Sequence, residues 1–467
     1  MPPVSISPSV DTIRDAVAQA GGRTHLVGGS LRDRLPRRSG GKPMPKDYDL
    51  MVTGLPMDRL QAAMPGAAPL VGASFPVIKA RVGEDTIDIA LPRTERSTGA
   101  RHRDFEVVGD PNLPIPEDLA RRDFTMNAIA LCLDDGEMFD PFGGREDIEC
   151  RWIRAVGDPA MRFREDPLRM LRAARFVAQL GFEIHPDTVE GLRRCAGLLW
   201  SVSKERIAEE LLRLLACADA RYVGIALRLL RDTGLLAMVC QPFVASFAFV
   251  QKNPYHHLTV DEHVFLAVEH AVSRGFPLRA RLAVLLHDVG KPWSYTEKDG
   301  VGHFKGHEDV GSDIVRQWMR SMSFPTALTD SVALIVAEHL RPERDIEDKP
   351  LRRWFVRLGE AWDDALACRE ADLAAHAGHV AADAIQWTDG IRARIATIDK
   401  AVPPTFSEAT LALTGTEIAS RFGAKGIEIG RLKRLATQAV VDGEIPNEAE
   451  VIAAWLASHA PPGLGEQ

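Results

Sequence analysis

The spacing of apolar residues changes near Asp158, and this change constrains the fold more than any other feature of the sequence. Before it, apolar and β-branched runs at Tyr48–Val52, Phe75–Val82 and Thr86–Leu91 are separated by Gly and Pro, a pattern typical of strands. After it, apolar residues recur every three or four positions, which predicts amphipathic helices. The clearest helical stretches are Leu168–Leu180, Glu205–Leu215 and Ile225–Leu236. We therefore predict an α+β protein with an N-terminal mixed α/β head followed by an all-helical body.

Two further breaks divide the helical part of the chain. Gln241–Pro254 interrupts it first, and Pro403-Pro404 interrupts it again. A chain of 467 residues is also too long for one hydrophobic core, because domains rarely exceed roughly 250 residues. We predict a catalytic head at 1–150, a helical neck at 151–245, a histidine-rich helical domain at 255–385 and a helical tail at 386–467.

Composition argues against membrane proteins and disulfide-bonded secreted proteins. No stretch approaches the roughly 18 apolar residues of a membrane span, and the six cysteines are scattered without a C-x-x-C pair. The formal charge is −8 and the pI is about 6.0, so no overall positive field attracts nucleic acid. Any RNA site has to be a local basic patch. We expect a cytoplasmic protein with reduced thiols, no membrane association and no obligate protein partner.

A glycine pair stands between a predicted strand and a predicted helix. The run Leu26–Asp33 contains Gly28 and Gly29, and paired glycines let backbone N–H groups and a helix N-terminus approach a phosphate closely. Arg32, in the first helical turn, would add a charged contact to that phosphate. Paired glycines also occur in purely structural turns, so this run alone leaves both interpretations open.

Three aspartates lie in two predicted strands. Asp47 and Asp49 are two positions apart, so in a strand both side chains project from the same face. Asp88 lies in the apolar stretch Thr86–Ala90, where a buried carboxylate needs a metal ion or a hydrogen-bond donor. Carboxylate oxygens suit Mg²⁺ bridged to substrate phosphates. We predict that all three are catalytic residues of two-metal phosphoryl transfer and that Asp47 and Asp49 bind the metal. An exposed acidic turn is the structural alternative.

These runs resemble the signature of class II nucleotidyltransferases, the group of CCA-adding enzymes and bacterial poly(A) polymerases. Three more runs resemble motifs of that group in the expected order, so the resemblance covers essentially the whole chain. They are Arg121–Ala128, similar to the ribose and triphosphate motif, Asp140–Gly144, similar to the hinge motif, and Glu165–Phe176, similar to the base-reading helix. The resemblance implies nucleotide contacts at Arg122, Asp123, Asn127, Glu165, Asp166, Arg169, Arg172 and Arg175.

The base-reading run also has a chemical rationale. On one helix, Glu165 and Asp166 would precede Arg169 by four and three positions, so all three would share a face. An Asp acceptor beside an Arg donor matches the edge of cytosine and can also pair with adenine. Uracil and guanine present the opposite pattern and would leave buried groups unpaired. Protein side chains would then replace a nucleic-acid template, whereas an isolated E-D-x-x-R sequence is more simply a surface ion pair.

A second constellation lies in the histidine-rich domain, which holds ten of the fourteen histidines. Six residues follow an order that resembles the HD superfamily of metal-dependent phosphohydrolases: His263, His287, Asp288, His307, His339 and Asp372. The resemblance implies that His263, His287, Asp288 and Asp372 bind one metal ion and that His307 and His339 serve a second ion or the substrate phosphate.

Mixed imidazole and carboxylate ligands suit a divalent transition metal, whose identity the sequence leaves open. Lys291, next to the His-Asp pair, would steady a phosphate. Catalysis and a tRNA-binding or regulatory role both remain open for this domain. The remaining histidines are interpreted as structural.

Two regions are candidates for RNA contacts. Basic residues cluster between Arg34 and Lys46, where they either contact phosphate or form a solvated surface. Class II enzymes usually have a shorter connection there. The run Leu413–Asn447 resembles the C-terminal body on which the tRNA elbow rests.

These features predict an enzyme that adds CCA to tRNA 3′ ends from CTP and ATP, with Mg²⁺ in the transferase site. One alternative is a poly(A) polymerase or an A-adding half-enzyme, which shares the head motifs. The other is a metal-dependent phosphohydrolase or an RNA-binding regulator with a silent head. The histidine-rich domain and a tail that ends in Gly-Leu-Gly-Glu-Gln rather than in basic residues favour CCA addition over polyadenylation.

Overall fold

The computed structural model describes residues 4, 6–35, 47–64, 70–71, 76–97, 105–254, 257–376 and 381–459. The chain forms two compact units, one of Met1–Leu214 with Ile225–Val239 and one of Leu215–Gly224 with Cys240–Gln467. The four predicted domains remain a prediction. Some residues that bear on the sequence predictions lie outside the described residues. They are Phe75, the basic residues Arg37, Arg38, Lys42 and Lys46 of the cluster after Arg34, and three of the histidines interpreted as structural, His102, His256 and His379.

The strands of the first unit occur where the sequence predicts a mixed head. They are β1 (Arg23–Val27), β2 (Asp47–Thr53), β3 (Leu70–Val71), β4 (Val77–Val82), β5 (Asp85–Ala90), β6 (Arg93–Ser97), β7 (Phe105–Gly109), β8 (Ala130–Cys132), β9 (Met138–Phe139), β10 (Trp152–Ile153) and β11 (Glu183–Ile184). Seven of them form one sheet in the order β3-β4-β5-β2-β1-β8-β9. The other strands pair as β6 with β7 and β10 with β11.

Strand β2 lies near the middle of this sheet and alternates in exposure. Tyr48, Leu50 and Val52 are buried, whereas Asp47 and Asp49 are exposed. Strand β2 pairs in parallel with β5 and antiparallel with β1. The apolar face of the sheet therefore packs inward, and the two aspartates project from the opposite face of β2.

The helices up to Val239 become the dominant elements after Asp158, where the spacing of apolar residues changes. They are α1 (Pro8–Gln19), α2 (Gly28–Arg32), α3 (Met57–Ala63), α4 (Ile115–Ala120), α5 (Gly144–Cys150), α6 (Pro159–Glu165), α7 (Arg169–Leu180), α8 (Pro186–Cys195), α9 (Lys204–Leu215), α10 (Ala220–Asp232) and α11 (Leu235–Val239). Short 3-10 turns lie at Thr125–Asn127 and Ala196–Ser201. A mixed head followed by helices confirms the predicted α+β class.

One sequence prediction about these helices is wrong. Glu165, Asp166 and Arg169 do not lie on one continuous helix, because α6 ends at Glu165 and α7 begins at Arg169. Asp166 is extended, with φ −142° and ψ 98°. The cause is Pro167, whose ring disfavours the helical conformation in the residue before it and which has no N–H to donate.

The second unit is almost entirely helical. Its helices are α12 (Val260–Ser273), α13 (Leu278–Leu286), α14 (Lys291–Ser294), α15 (His307–Ser321), α16 (Thr326–Glu338), α17 (Asp348–Leu358), α18 (Trp362–Ala374), α19 (Ala381–Asp399), α20 (Gly415–Phe422), α21 (Ile427–Val441) and α22 (Ala449–His459). A small hairpin joins β12 (Thr296–Lys298) to β13 (Val301–His303), and further 3-10 turns lie at Gln241–Ser246, Gly359–Ala361 and Glu408–Thr410.

Helix α13 is the central helix of this unit. Every residue from Ala280 to Leu286 is buried, as the apolar run in the sequence predicts for a helix surrounded by others. The C-terminal helices have a smaller core of their own, which includes Leu413, Ile418, Leu432 and Leu456. Among the described residues, no helix combines the length and apolar character needed to cross a bilayer.

Candidate nucleotide cleft and metal centre

A cleft of about 600 Å³ opens in the first unit beside the sheet. Strands β2 and β5 line one part of it, and helices α2, α7 and α9 line others. Eight arginines and five aspartates line its wall. The chain as a whole is acidic, so it can attract an anion only where basic residues cluster locally. This cleft is such a cluster.

Two of the three predicted catalytic aspartates are direct neighbours in the sheet. The parallel pairing of β2 with β5 sets Asp49 opposite Asp88, and Asp47 lies two residues before Asp49 on the same face. Partial burial in the cleft raises the pKa of Asp49, and the negative charges of Asp88 and Asp47 raise it further. The positive charge of Arg122 acts in the opposite direction and lowers the pKa. Such crowded carboxylates repel one another, so the site fits a divalent cation.

Asp88 has a partner that the sequence did not reveal. Lys79, on the neighbouring strand β4, lies directly opposite Asp88, and its Nζ donates to both carboxylate oxygens at 2.8 and 2.9 Å. Asp88 is half-exposed rather than buried in its apolar strand, with 36% of the side chain accessible. The donor that the sequence analysis required for this carboxylate is therefore Lys79.

The glycine pair begins helix α2 beside these carboxylates. Ser30 fixes this position, because its Oγ accepts a hydrogen bond from the backbone N–H of Asp49 at 3.0 Å and donates to the carbonyl of Val27 at 2.9 Å. Gly28 has φ +64°, and a Cβ there would lie 2.9 Å from Nη1 of Arg122. Glycine is thus required both by the backbone conformation and by the closeness of an arginine.

A buried chain of polar groups crosses the floor of the cleft. Arg32 donates to Oδ1 of Asn127 at 2.7 Å, and the amide of Asn127 donates to Asp123 at 3.1 Å. Asp123 also accepts from Arg172 at 2.6 and 2.9 Å and from the backbone N–H of Phe124 at 2.8 Å. Burial would raise the pKa of Asp123, but Arg172 and these hydrogen bonds lower it to about 2.

Phe176 is a second feature that the sequence analysis did not single out. The guanidinium groups of Arg175, Arg32 and Arg172 lie 4.4, 5.4 and 5.6 Å from the centre of its ring. Glu210 accepts from Arg175 at 2.7 Å. Cation–π contacts and carboxylates therefore fix three arginines around one aromatic ring in the cleft. The available sequence signal was the position of Phe176 on the same helix as Arg172 and Arg175, whereas the approach of Arg32 from α2 had no sequence signal.

The residues predicted to read the base divide into two roles. Asp166 and Arg169 line the cleft, whereas Glu165 is not among the lining residues. Glu165 accepts hydrogen bonds from Arg169 at 3.0 Å and from Arg162 at 2.7 Å, so it holds Arg169 in place. Asp166 accepts from the backbone N–H of Leu168 at 3.2 Å, which fixes its carboxylate at the start of α7.

The six predicted HD residues come together in the second unit. Asp288 is central: one oxygen lies 3.3 Å from Nε2 of His287, and the other lies 3.4 Å from Nε2 of His307 and 3.8 Å from that of His339. Asp372 Oδ1 lies 3.2 Å from Nε2 of His263. All six side chains are buried. Helices α12, α15 and α18 carry His263, His307 and Asp372, and the other three residues directly follow the ends of α13 and α16.

The backbone fixes the orientation of the four histidine rings. Each Nδ1 lies within hydrogen-bond distance of a carbonyl: 2.7 Å for His287, 2.8 Å for His307, 2.6 Å for His339 and 3.3 Å for His263. A carbonyl only accepts, so Nδ1 carries the proton and a neutral ring directs its Nε2 lone pair into the cluster. This arrangement is the usual one around metal-binding histidines.

Several of the inward-facing atoms lack a well-aligned hydrogen bond. They include the buried Nε2 of His287 and Oδ1 of Asp288, whereas Oδ2 of Asp288 pairs with Lys291, and the Nε2 atoms of His307 and His339 face each other at 3.2 Å. Burial, with the neighbouring His307 and His287, keeps the pKa of His339 well below its usual value. Imidazole nitrogens and a buried carboxylate directed at one another fit divalent metal ions.

Two further residues surround this centre. Nζ of the buried Lys291 lies 2.6 Å from Asp288 and donates to Gln251 at 2.9 Å. His376, interpreted as structural from the sequence, has its Nε2 3.0 Å from Oδ1 of Asp372. Both residues line a cavity of about 360 Å³ that opens over the cluster. The i, i+4 spacing of Asp372 and His376 was the sequence signal for the second of them.

Comparison with known protein families identifies the general class of enzyme. Residues 24–154 match the family "Poly A polymerase head domain", residues 181–247 match "Probable RNA and SrmB- binding site of polymerase A", and residues 260–377 match "HD domain". The chain is therefore a nucleotidyltransferase with an attached HD domain.

Curated relatives and solved structures then narrow the class. A Multifunctional CCA protein of Halorhodospira halophila is 36% identical over 70% of this chain and 75% of its own length, and one of Aromatoleum aromaticum is 37% identical over 68% and 74%. The Bacillus stearothermophilus CCA-adding enzyme in complex with CTP matches 97% of this chain and 98% of its own, with 27% identity and a TM-score of 0.68. The chain belongs to the family of multifunctional CCA proteins.

Proposed function

We propose that this protein adds CCA to the 3′ ends of tRNA, using CTP and ATP. The observation that carries the proposal is that one cleft joins sheet carboxylates to a fixed Asp166–Arg169 pair. The carboxylates suit metal-dependent nucleotidyl transfer, and the pair suits recognition of cytosine and adenine. Membership of the CCA family supports the choice of tRNA as the acceptor.

The roles of the transferase residues follow from their positions. Asp47 and Asp49 would hold Mg²⁺, with Asp88 as the third catalytic carboxylate, and the ion would supply activation of the primer 3′-hydroxyl and stabilisation of the leaving pyrophosphate. Lys79 would keep Asp88 aligned beside Asp49. Gly28 and Gly29, at the N-terminus of α2, would give the triphosphate room to approach the backbone.

The arginines of the cleft supply the remaining contacts of the nucleotide. Arg32, Arg122, Arg172 and Arg175 offer positive charge along the wall, and Asn127 and Asp123 keep two of them in place. Because these guanidinium groups are already fixed, nucleotide binding costs little side-chain entropy. The ordered wall would set the triphosphate in line with the primer hydroxyl.

The acceptor ends of tRNA provide a direct test. Transcripts that lack one, two or three 3′ nucleotides are incubated with CTP or ATP separately. We expect CTP to extend ends that lack two or three nucleotides, and ATP to extend only the end that lacks one. Asp49→Asn should abolish both reactions, whereas Asp58→Asn, an exposed change in α3, should leave them unchanged. ATP incorporation at every end would instead identify an A-adding enzyme or a poly(A) polymerase.

The metal centre supports a second activity. We propose that the HD domain is a phosphohydrolase that uses a divalent transition metal held by His263, His287, Asp288 and Asp372. The convergence of buried histidine and aspartate ligand atoms, with a cavity above them, carries this proposal. His307 and His339 would bind a second ion or the substrate phosphate, and Lys291 would neutralise phosphate charge.

Hydrolysis of bis(p-nitrophenyl) phosphate tests this second activity. The protein is stripped of metal and reloaded in turn with Mn²⁺, Co²⁺, Ni²⁺, Zn²⁺ or Mg²⁺. We expect transition metals to restore hydrolysis, and Asp288→Asn to remove it without affecting CCA addition. Asp313→Asn, whose side chain is 78% exposed on α15, is the matched control. No hydrolysis with any of these ions would leave the domain a binding or regulatory body.

We also propose a cytoplasmic location, which accords with a tRNA-modifying role. We further propose the division into head, neck, HD domain and tail, which is supported by three families that match within the first three of these regions, at residues 24–154, 181–247 and 260–377. A silent transferase head is not favoured, because Asp49, Asp88 and all the predicted nucleotide-binding residues except Glu165 line one cleft. Asp47 is not among the lining residues but lies two positions before Asp49 on the same face of β2.

A further inference from the structure

His376 occupies a position that the six-residue HD pattern does not include. It follows Asp372 by four residues, just beyond the last residue of α18, and the chain stays in a helical turn through Ala375. Residues four apart on a helix lie on the same side of it. Asp372 is buried and His376 is half-buried, so His376 lies on the outward side of the carboxylate, where it lines the cavity.

The geometry around Asp372 resembles a set of ligands around one ion. Nε2 of His376 lies 3.0 Å from Oδ1 of Asp372, and Nε2 of His263 lies 3.2 Å from the same oxygen. One ligand atom from each of these three residues lies within 4.8 Å of the other two. With metal–ligand bonds of about 2.1 Å, adjacent ligands stand roughly 3 Å apart and opposite ligands roughly 4.2 Å apart. The three atoms are therefore close enough to share an ion.

We propose that His376 is a fifth protein ligand of the HD metal ion, in addition to His263, His287, Asp288 and Asp372. The inference rests on the proposed metal centre of this domain and goes beyond its expected ligand set. A third imidazole shifts the donor set further towards nitrogen, which favours Co²⁺, Ni²⁺ or Zn²⁺ over Mg²⁺ and Mn²⁺. It also occupies a coordination position on the cavity side, so fewer positions remain there for water or a phosphate oxygen.

The competing explanation is a hydrogen bond from His376 that only orients Asp372. Loss of metal affinity does not separate the two, because removing an orienting partner also weakens metal binding, typically 10- to 100-fold. A test has to report whether the side chain at position 376 touches the ion. His270 is a matched control, because its Nε2 also contacts a buried carboxylate, Glu370, at 3.1 Å in the same unit.

A thiolate at position 376 gives a signal that only direct coordination produces. Full-length His376→Cys and His270→Cys proteins are stripped of metal and loaded with one equivalent of Co²⁺. We expect a new near-ultraviolet sulfur-to-cobalt charge-transfer band in His376→Cys, and a spectrum like that of the original protein in His270→Cys. Absence of the band in His376→Cys protein that retains its Co²⁺ would overturn the proposal.

A second variant keeps the test decisive if the cysteine protein does not fold. In the Co²⁺ protein, each ligating histidine gives an Nδ1–H proton resonance shifted far outside the normal range. His376→Gln keeps a hydrogen-bond donor for Asp372 but removes the imidazole, so we expect one shifted resonance fewer. An unchanged number of shifted resonances would refute the proposal. Failure of the original protein to bind Co²⁺ would instead refute the metal centre itself, and CCA addition tests the transferase independently.

Discussion

The carboxylate of Asp123 offers the sharpest test of how the nucleotide cleft is held together. Asp123→Asn removes the charge that pairs with Arg172 and places an amide where two guanidinium hydrogens point. The pKa of Asp123 falls from an ordinary value of 3.8 to about 2 on folding. At about 1.4 kcal/mol per pKa unit, ionised Asp123 stabilises the fold by about 2 kcal/mol at neutral pH.

The pH dependence of this contribution has a definite sign. A carboxylate whose pKa is lowered by folding stabilises the protein fully above its unfolded pKa, and the stabilisation disappears as the pH falls through its folded pKa. For Asp123 the contribution is complete above about pH 5, falls to about half near pH 3 and is absent below about pH 2. The stability difference between the original protein and Asp123→Asn should therefore shrink over this range.

Urea unfolding followed by circular dichroism measures the difference. Hydrogen exchange of the peptides around residues 119–132 and 169–180 locates it in the first unit. Asp187→Asn, whose side chain is 80% exposed on α8, should change stability by less than about 0.5 kcal/mol. We also expect a higher KM for CTP in Asp123→Asn, because Arg172 loses its anchor. A stability loss below about 0.5 kcal/mol at pH 7, or a loss that does not shrink towards pH 3, would refute this reasoning.

Two further predictions concern single contacts, and a third concerns the metal preference of the two sites. Gly28→Ala should cost about 1 kcal/mol of stability and raise KM for both nucleotides, because the new Cβ meets Arg122. Gly136→Ala is the control, because Gly136 also has a positive φ, +78°, but has open space around it. It should cost similar stability and leave KM unchanged. Glu165→Gln should lower discrimination against UTP on the order of 10-fold, because Arg169 loses its ionic partner. Single-nucleotide incorporation assays measure this discrimination, and an unchanged value would contradict the positioning role of Glu165. Dialysis against EDTA followed by excess Mg²⁺ should restore CCA addition but not phosphodiester hydrolysis, and recovery of both would argue against a transition-metal centre.

Local patterns made much of the head predictable. Asp47 and Asp49 share a face because the side chains of a strand alternate with a period of two. Gly28 begins α2 directly after β1, as expected for a glycine pair between a strand and a helix. The neighbour relation of Asp49 and Asp88 was not predictable in the same way. It depends on the parallel pairing of β2 with β5, and pairing between strands far apart in the sequence is set by the whole sheet. Lys79 is a different case, because β4 and β5 form a tight hairpin in which Val82 lies opposite Asp85, so a hairpin prediction could have placed Lys79 opposite Asp88.

The base-reading run shows where a periodic argument fails. A spacing of three and four predicted a shared helical face for Glu165, Asp166 and Arg169, but Pro167 lies inside the run and breaks the helix. The residues still meet around the cleft because the break redirects Asp166 and leaves Glu165 against Arg169. The rule against helical residues before proline was sufficient to predict this break.

The HD residues were identified from their order along the chain, whereas their surroundings were not. The family pattern named six residues, and all six lie together. His376 was overlooked because one further histidine near a helix end is usually structural. The carbonyl partners of the histidine rings were equally hidden, since a backbone acceptor has no sequence signature.

Those carbonyl partners have a consequence for how the protein acquires its metal. The rings of His287 and His339 each bond the carbonyl three residues earlier, at Val284 and Val336, near the end of their own helix. Each ring therefore satisfies a carbonyl group at the C-terminal end of its helix, and folding of the backbone alone sets the orientation of the ring. We expect ions to enter and leave while the chain stays folded. The identity of the bound metal would then follow the supply of free ions in the cell, and one protein could carry different metals under different growth conditions.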